Sequence, residues 1–89
     1  MIKSNRVREA EIGGVTVGRY GMGVKVGGQE FQLPFRSMRE YSLRRRWFIG
    51  KPYVRIVMDN CVYRVNGSDP ALKALMKIIE HKESIYNSH

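Results

Sequence analysis

Three consecutive arginines, Arg44-Arg45-Arg46, run directly into Trp47-Phe48, with Lys51 and Tyr53 just beyond. Guanidinium groups grip phosphates through paired N–H donors and stack on planar rings, and aromatic side chains stack on unpaired bases. This combination is the chemistry of nucleic-acid contact. Segment 36–64 holds Arg36, Arg39, Arg44, Arg45, Arg46, Lys51, Arg55 and Arg64 against only Glu40 and Asp59, a net +6 in a chain whose total is +8. Residues 65–89 balance Lys73, Lys77 and Lys82 against Asp69, Glu80 and Glu83. The excess charge is therefore local.

The same residues have a structural reading, in which Trp47, Phe48 and Tyr53 enter the core and the arginines form a solvated helix end. For Trp47 the core weighs more than contact with a ligand; for the arginine triplet the two readings balance. Arg55 and Arg64 tip that balance, because a hairpin over 53–66 sets them opposite each other across two strands. Like charges placed so are unfavourable unless an anion or solvent intervenes.

Other chemistry has little material. Cys61 follows a turn and points into an apolar face, where a thiolate is disfavoured. A chain with one cysteine forms no internal disulfide and no cysteine-based zinc cluster. His81 lies on the solvent side of a helix and His89 is the last residue, so neither belongs to a ligand set. The glycine-rich run from Gly13 to Gly28 lacks both GxGxxG and GxxxxGK[ST], and turns explain it. Paired carboxylates and a nucleophile with its base are also missing. No enzyme activity, cofactor or metal is expected.

The elements that must position the cationic cluster read as follows. A length of 89 residues sets one domain, and 43% hydrophobic residues spread along the chain argue for a packed fold. Gly13-Gly14 and Gly27-Gly28 suit two-residue hairpin turns. The first pairs Ile12 with Val15, Glu11 with Thr16 and Ala10 with Val17; the second pairs Val26 with Gln29, Lys25 with Glu30, Val24 with Phe31 and Met22 with Leu33. The apolar parity changes between these hairpins, which predicts a bulge or sharp bend at Gly21 to Gly23 and a sheet curled towards a barrel.

Beyond Pro34 the spacing of Phe35, Met38 and Tyr41, with Ser37 as an available cap, predicts a short helix within 36–49. Gly50 and Pro52 end it. The hairpin 53–66 turns at Asp59-Asn60 and presents Val54, Ile56 and Met58 opposite Val65, Tyr63 and Cys61 on its apolar face, with Val57 opposite Val62 beside the arginines on the other. Ser68-Asp69-Pro70 starts a helix, with Ser68 or Asp69 as cap and Pro70 at the first position. Leu72, Leu75, Met76 and Ile79 form its apolar stripe, which Ile78 widens. After Glu83 the pattern is lost and the end, 84–89, is expected to fray.

The expected fold is α+β, a small curved antiparallel sheet in the order β-β-β-α-β-β-α, partly barrel-like and covered by a C-terminal amphipathic helix. The expected function is non-catalytic binding of DNA or RNA, with phosphates contacted by Arg44, Arg45, Arg46, Lys51, Arg55 and Arg64 and with Trp47 alongside. The alternative is a protein-binding adaptor or inhibitor module docking on an acidic protein surface, with homodimer formation through a sheet edge or through Val57 and Val62. Apolar runs too short to span a bilayer, and an amino terminus without a signal core, lead to the expectation of a cytoplasmic protein with no membrane association.

Overall fold

Seven strands and one C-terminal helix make up the α+β architecture of the computed structural model, which describes residues 6–45, 50–59 and 61–87, with only the backbone of residues 83 and 85–87. The strands are β1 (Val7–Glu11), β2 (Val15–Val17), β3 (Gly21–Val26), β4 (Gln29–Pro34), β5 (Glu40–Arg45), β6 (Pro52–Val57) and β7 (Val62–Asn66); the helix α1 is Asp69–Asn87. They form two open sheets. The larger has the order β1-β7-β6-β5 and the smaller β2-β3-β4. Neither sheet is closed into a barrel among the described residues, so the partly barrel-like description is loose.

The hairpin β6–β7 holds the register read from its sequence, with Val54 opposite Val65, Ile56 opposite Tyr63 and Arg55 opposite Arg64. At its end the Met58 N–H donates to the Cys61 carbonyl at 2.9 Å. The β3–β4 hairpin also pairs as read, from Val26 with Gln29 through Met22 with Leu33. Both Gly27 and Gly28 sit at positive φ, 58° and 84°, which a primed turn requires and other residues resist.

The first hairpin is different. Residues 12–14 form a single 3₁₀ turn, and neither Gly13 nor Gly14 adopts a positive φ. The turn carries the chain from one sheet to the other. β1 instead runs parallel to β7, setting Ala10 beside Val65 and Glu9 beside Arg64, while β2 pairs with β3. Alternation along a strand fixes which side chains share a face and leaves its neighbour open, so a partner 55 residues away satisfies Ala10 as well as a local one.

No bulge interrupts β3, which is laddered on both sides from Met22 to Val24. The connection 18–20 absorbs the parity change, closed by the Gly18 N–H on the Gly21 carbonyl at 2.8 Å. Gly21 serves close packing: a Cβ there would lie 2.6 Å from the Leu33 carbonyl oxygen and 2.8 Å from the Pro34 Cα.

The helix expected within 36–49 is also corrected. Phe35–Ser37 is a 3₁₀ turn that buries Phe35, and Glu40–Arg45 is strand β5, paired with β6. Phe35 and Met38 fit a helical period because one tight turn brings both inward. Tyr41 and Leu43 then pack on the core at a period of two, which marks a strand.

The inner face of the larger sheet supplies Ala10, Val54, Ile56, Tyr63 and Val65 to the core. Met22, Val24 and Leu33 cover it from the smaller sheet, and Leu72, Leu75 and Ile79 from α1, which packs on β5, β6 and the 35–37 turn. Side chains buried this completely stabilise by about 1.5–3 kcal/mol each before the entropy of ordering them is counted. Ile78 does not widen the helix stripe; it is 39% exposed. At about 100° per residue it lies about 120° round from Leu72 and about 100° from Ile79, off the centre of the stripe. The Leu72 N–H donates to the Ser68 carbonyl at 2.9 Å, so Ser68 holds the cap position and Asp69 the first turn. The helix runs to Asn87, and no helix of the described residues is long and apolar enough to cross a membrane.

Candidate nucleic-acid interface

The helix and the smaller sheet both pack on one side of the larger sheet, so its other side is left without a covering element among the described residues. Strand alternation puts Tyr53, Arg55 and Val57 of β6 there, with Val62, Arg64 and Asn66 of β7. Register aligns this outer face into rows across the four strands. One row is Val7, Val62, Val57 and Glu40; the next Glu9, Arg64, Arg55 and Ser42; the third Glu11, Asn66, Tyr53 and Arg44. Val62 is buried on this face yet lies outside the core cluster.

The cross-strand arginines are answered from both flanks. Arg55 Nη1 donates to Glu40 Oε1 at 3.1 Å, and Arg64 Nε lies 3.3 Å from Glu9 Oε2. The Arg64 guanidinium also stands over the Tyr53 ring, 5.6 Å from its centroid. Their side chains are about one-third exposed, 33% and 31%. The repulsion that made this pair resemble an anion site is relieved within the protein. Glu9 reaches Arg64 only through the parallel pairing of β1 with β7, which sequence periodicity does not reveal.

The end of the sheet beside segment 46–49 differs. Arg44 is exposed and donates from Nε to Ser42 Oγ at 3.1 Å; Lys51 is exposed, and neither has a carboxylate partner among the described residues. Arg45 is committed to the fold. Its Nη1 donates to the Gly50 carbonyl at 3.0 Å and its Nη2 to Asp69 Oδ2 at 2.7 Å, tying both ends of segment 46–49 and the start of α1 together. Gly50 makes that path possible with φ +72°. Arg46 and Trp47 lie outside the described residues.

Where β1 and β7 end and β6 begins, Glu11, Lys51, Pro52, Asn66 and Gly67 line a pocket of about 340 Å³. Asn66 is held in place, its Nδ2 donating to Glu9 Oε1 at 3.0 Å and to the Ala10 carbonyl at 3.1 Å. Gly67 leaves room for Ile12, whose Cγ2 would lie 2.7 Å from any Cβ at that position. None of Glu11, Asn66 or Gly67 is a site residue by sequence reading, because they meet only through the parallel strand pair.

A single arginine belongs to the seam between the sheets. Arg8 places its guanidinium 4.0 Å from the Phe31 centroid and donates from Nη1 to the Tyr63 hydroxyl at 2.9 Å. Burial pushes the Tyr63 phenol above its ordinary pKa, against the opposing pull of Arg8. The alternation of Arg8 with buried Ala10 on β1 is the signal for this inward-facing cation. Cys61 is buried as read, and His81 is exposed. No three His, Cys, Asp or Glu side chains among the described residues gather as a metal site.

Fold and face together define a two-sheet α+β domain with one uncovered sheet face, internally charge-paired at its centre and cationic at one end. No family model, curated protein or solved structure matches this chain.

Proposed function

We propose that the chain binds nucleic acid without catalysing a reaction on it, contacting phosphates at the end of the larger sheet where β5 leads into β6. The observation that carries the reading is the contrast in pairing. Arg55 and Arg64 have carboxylate partners, whereas Arg44 and Lys51 are exposed without one among the described residues. Cations left to solvent in a segment that also contains Arg46 and Trp47 release counterions on meeting a phosphate backbone, which drives association with little dependence on sequence. Arg45 contributes by holding the segment's ends in place, and Arg55 and Arg64 by building the face beside it. A cytoplasmic location goes with such a partner.

Titration of labelled single-stranded and duplex DNA and RNA at two salt concentrations tests this, with Arg44→Ala/Lys51→Ala beside Arg55→Ala/Arg64→Ala. The first pair should weaken binding and flatten the salt dependence, by about 0.7 in the logarithmic slope for each single-strand phosphate no longer neutralised. The second should change it little. Absence of binding at low salt would sink the reading.

A second reading rests on the valine row and the open strand β5. Val7 is 41% exposed beside Val62 and Val57, and β5 pairs on one side only among the described residues. An acidic protein surface or a second copy of the chain suits that face by strand addition. Light scattering that finds a strict monomer at high concentration would remove the second copy from consideration.

A further inference from the structure

The pocket at the sheet end is lined by two groups of opposite charge, Glu11 and Lys51. Glu11 ends β1 and lies beside Asn66, which ends β7, while Lys51 directly precedes β6, which begins at Pro52. Neither Glu11 nor Lys51 takes part in an ion pair or side-chain hydrogen bond among the described residues. Its volume of about 340 Å³ falls at the low end of the range for small-molecule sites.

A ligand that satisfies both groups presents a hydrogen-bond donor at one end and an anion at the other. A nucleotide with an amino-bearing base does so, its phosphate on Lys51 and its exocyclic amine on Glu11. A carboxylate accepts a hydrogen bond from cytosine N4 but meets an acceptor, O4, on thymine or uracil. Arg44, on the same sheet end as Lys51, offers a further phosphate position, which favours a strand over a free zwitterion.

We propose that this pocket takes one unpaired nucleotide of a bound strand and prefers cytosine to thymine or uracil through Glu11. The proposal rests on the phosphate-binding reading above, and its test separates the two.

Oligo(dC) and oligo(dT) of equal length are titrated against the protein and its Glu11→Gln variant by fluorescence anisotropy. Separately, CMP and UMP are titrated while the backbone amide resonances of Glu11, Lys51, Asn66 and Gly67 are followed. Oligo(dC) should bind about tenfold more tightly, the weight of one charge-assisted hydrogen bond. Glu11→Gln should bring the two oligomers to within about twofold, since an amide donates to O4 as readily as it accepts from N4. CMP should shift the four amides and UMP should not. An unchanged thermal midpoint in Glu11→Gln shows that the fold is intact.

Equal affinity for both oligomers with no CMP shifts overturns the pocket and leaves the phosphate reading standing. A cytosine preference that survives Glu11→Gln overturns the role of Glu11. CMP shifts without oligomer binding overturn the strand reading alone, and neither signal overturns both.

Discussion

The two faces of the β6–β7 hairpin are built from the same fourteen residues, 53–66, yet are held by different forces. On the inner face Val54, Ile56 and Val65 are fully buried and Tyr63 is 5% exposed, so packing and water exclusion decide it. On the outer face Arg55 and Arg64 stay one-third exposed and are matched by Glu40 and Glu9 from the flanking strands. Exposed ion pairs contribute little to stability. The outer face is therefore free to vary in charge at small cost, while the inner face is not. Along the outer face a second contrast appears, between a centre whose cations are paired and an end where Arg44 and Lys51 have no carboxylate partner among the described residues.

The widest gap between the faces should appear on truncation. Ile56→Ala, which opens a cavity under the sheet, should cost about 2–5 kcal/mol in denaturant unfolding, and Val57→Ala on the outer face about 1 kcal/mol or less. Equal losses would erase the distinction.

Gly67 sits where the outer face meets the pocket, against Ile12. Gly67→Ala should cost about 1–3 kcal/mol through overpacking, read as a lowered thermal midpoint. A neutral result would mean that the 12–14 turn yields freely, and that the pocket floor is soft.

Glu9→Gln/Glu40→Gln releases Arg55 and Arg64 without touching the core. Stability should move by no more than about 1 kcal/mol. Affinity for single-stranded DNA should rise several-fold with a steeper salt dependence, because two more cations face the strand. No gain would place the bound strand away from the sheet centre.

The smallest effect is confined to alkaline solution. Burial raises the Tyr63 pKa in the folded chain, so the folded state holds that proton more tightly than the unfolded state. The associated stability is fully present below the ordinary tyrosine value near 10 and is lost as pH rises through it towards the folded value. Tyrosinate absorbance should include a late-titrating component that Tyr63→Phe removes; a titration curve left unchanged by that substitution would contradict it.

Much of this molecule is local in origin and is legible in its residues. The β3–β4 and β6–β7 hairpins, the inward set of Val54, Ile56, Tyr63 and Val65, the buried Cys61 and the start of α1 at Ser68 follow from alternation, turn chemistry and capping over short spans. These depend on interactions between residues close in the chain. The cationic cluster is equally visible, because net charge needs no fold.

What only the tertiary structure decides is which cations have partners. Whether β1 pairs with β2 or with β7 leaves its alternation unchanged, yet the parallel choice carries Glu9 to Arg64 and Glu11 to Asn66. Strand β5 replaces an expected helix because pairing with β6 outweighs a short spacing that suits either form. Long-range strand pairing costs loop entropy that burial offsets, and neither quantity is written in any local stretch of residues.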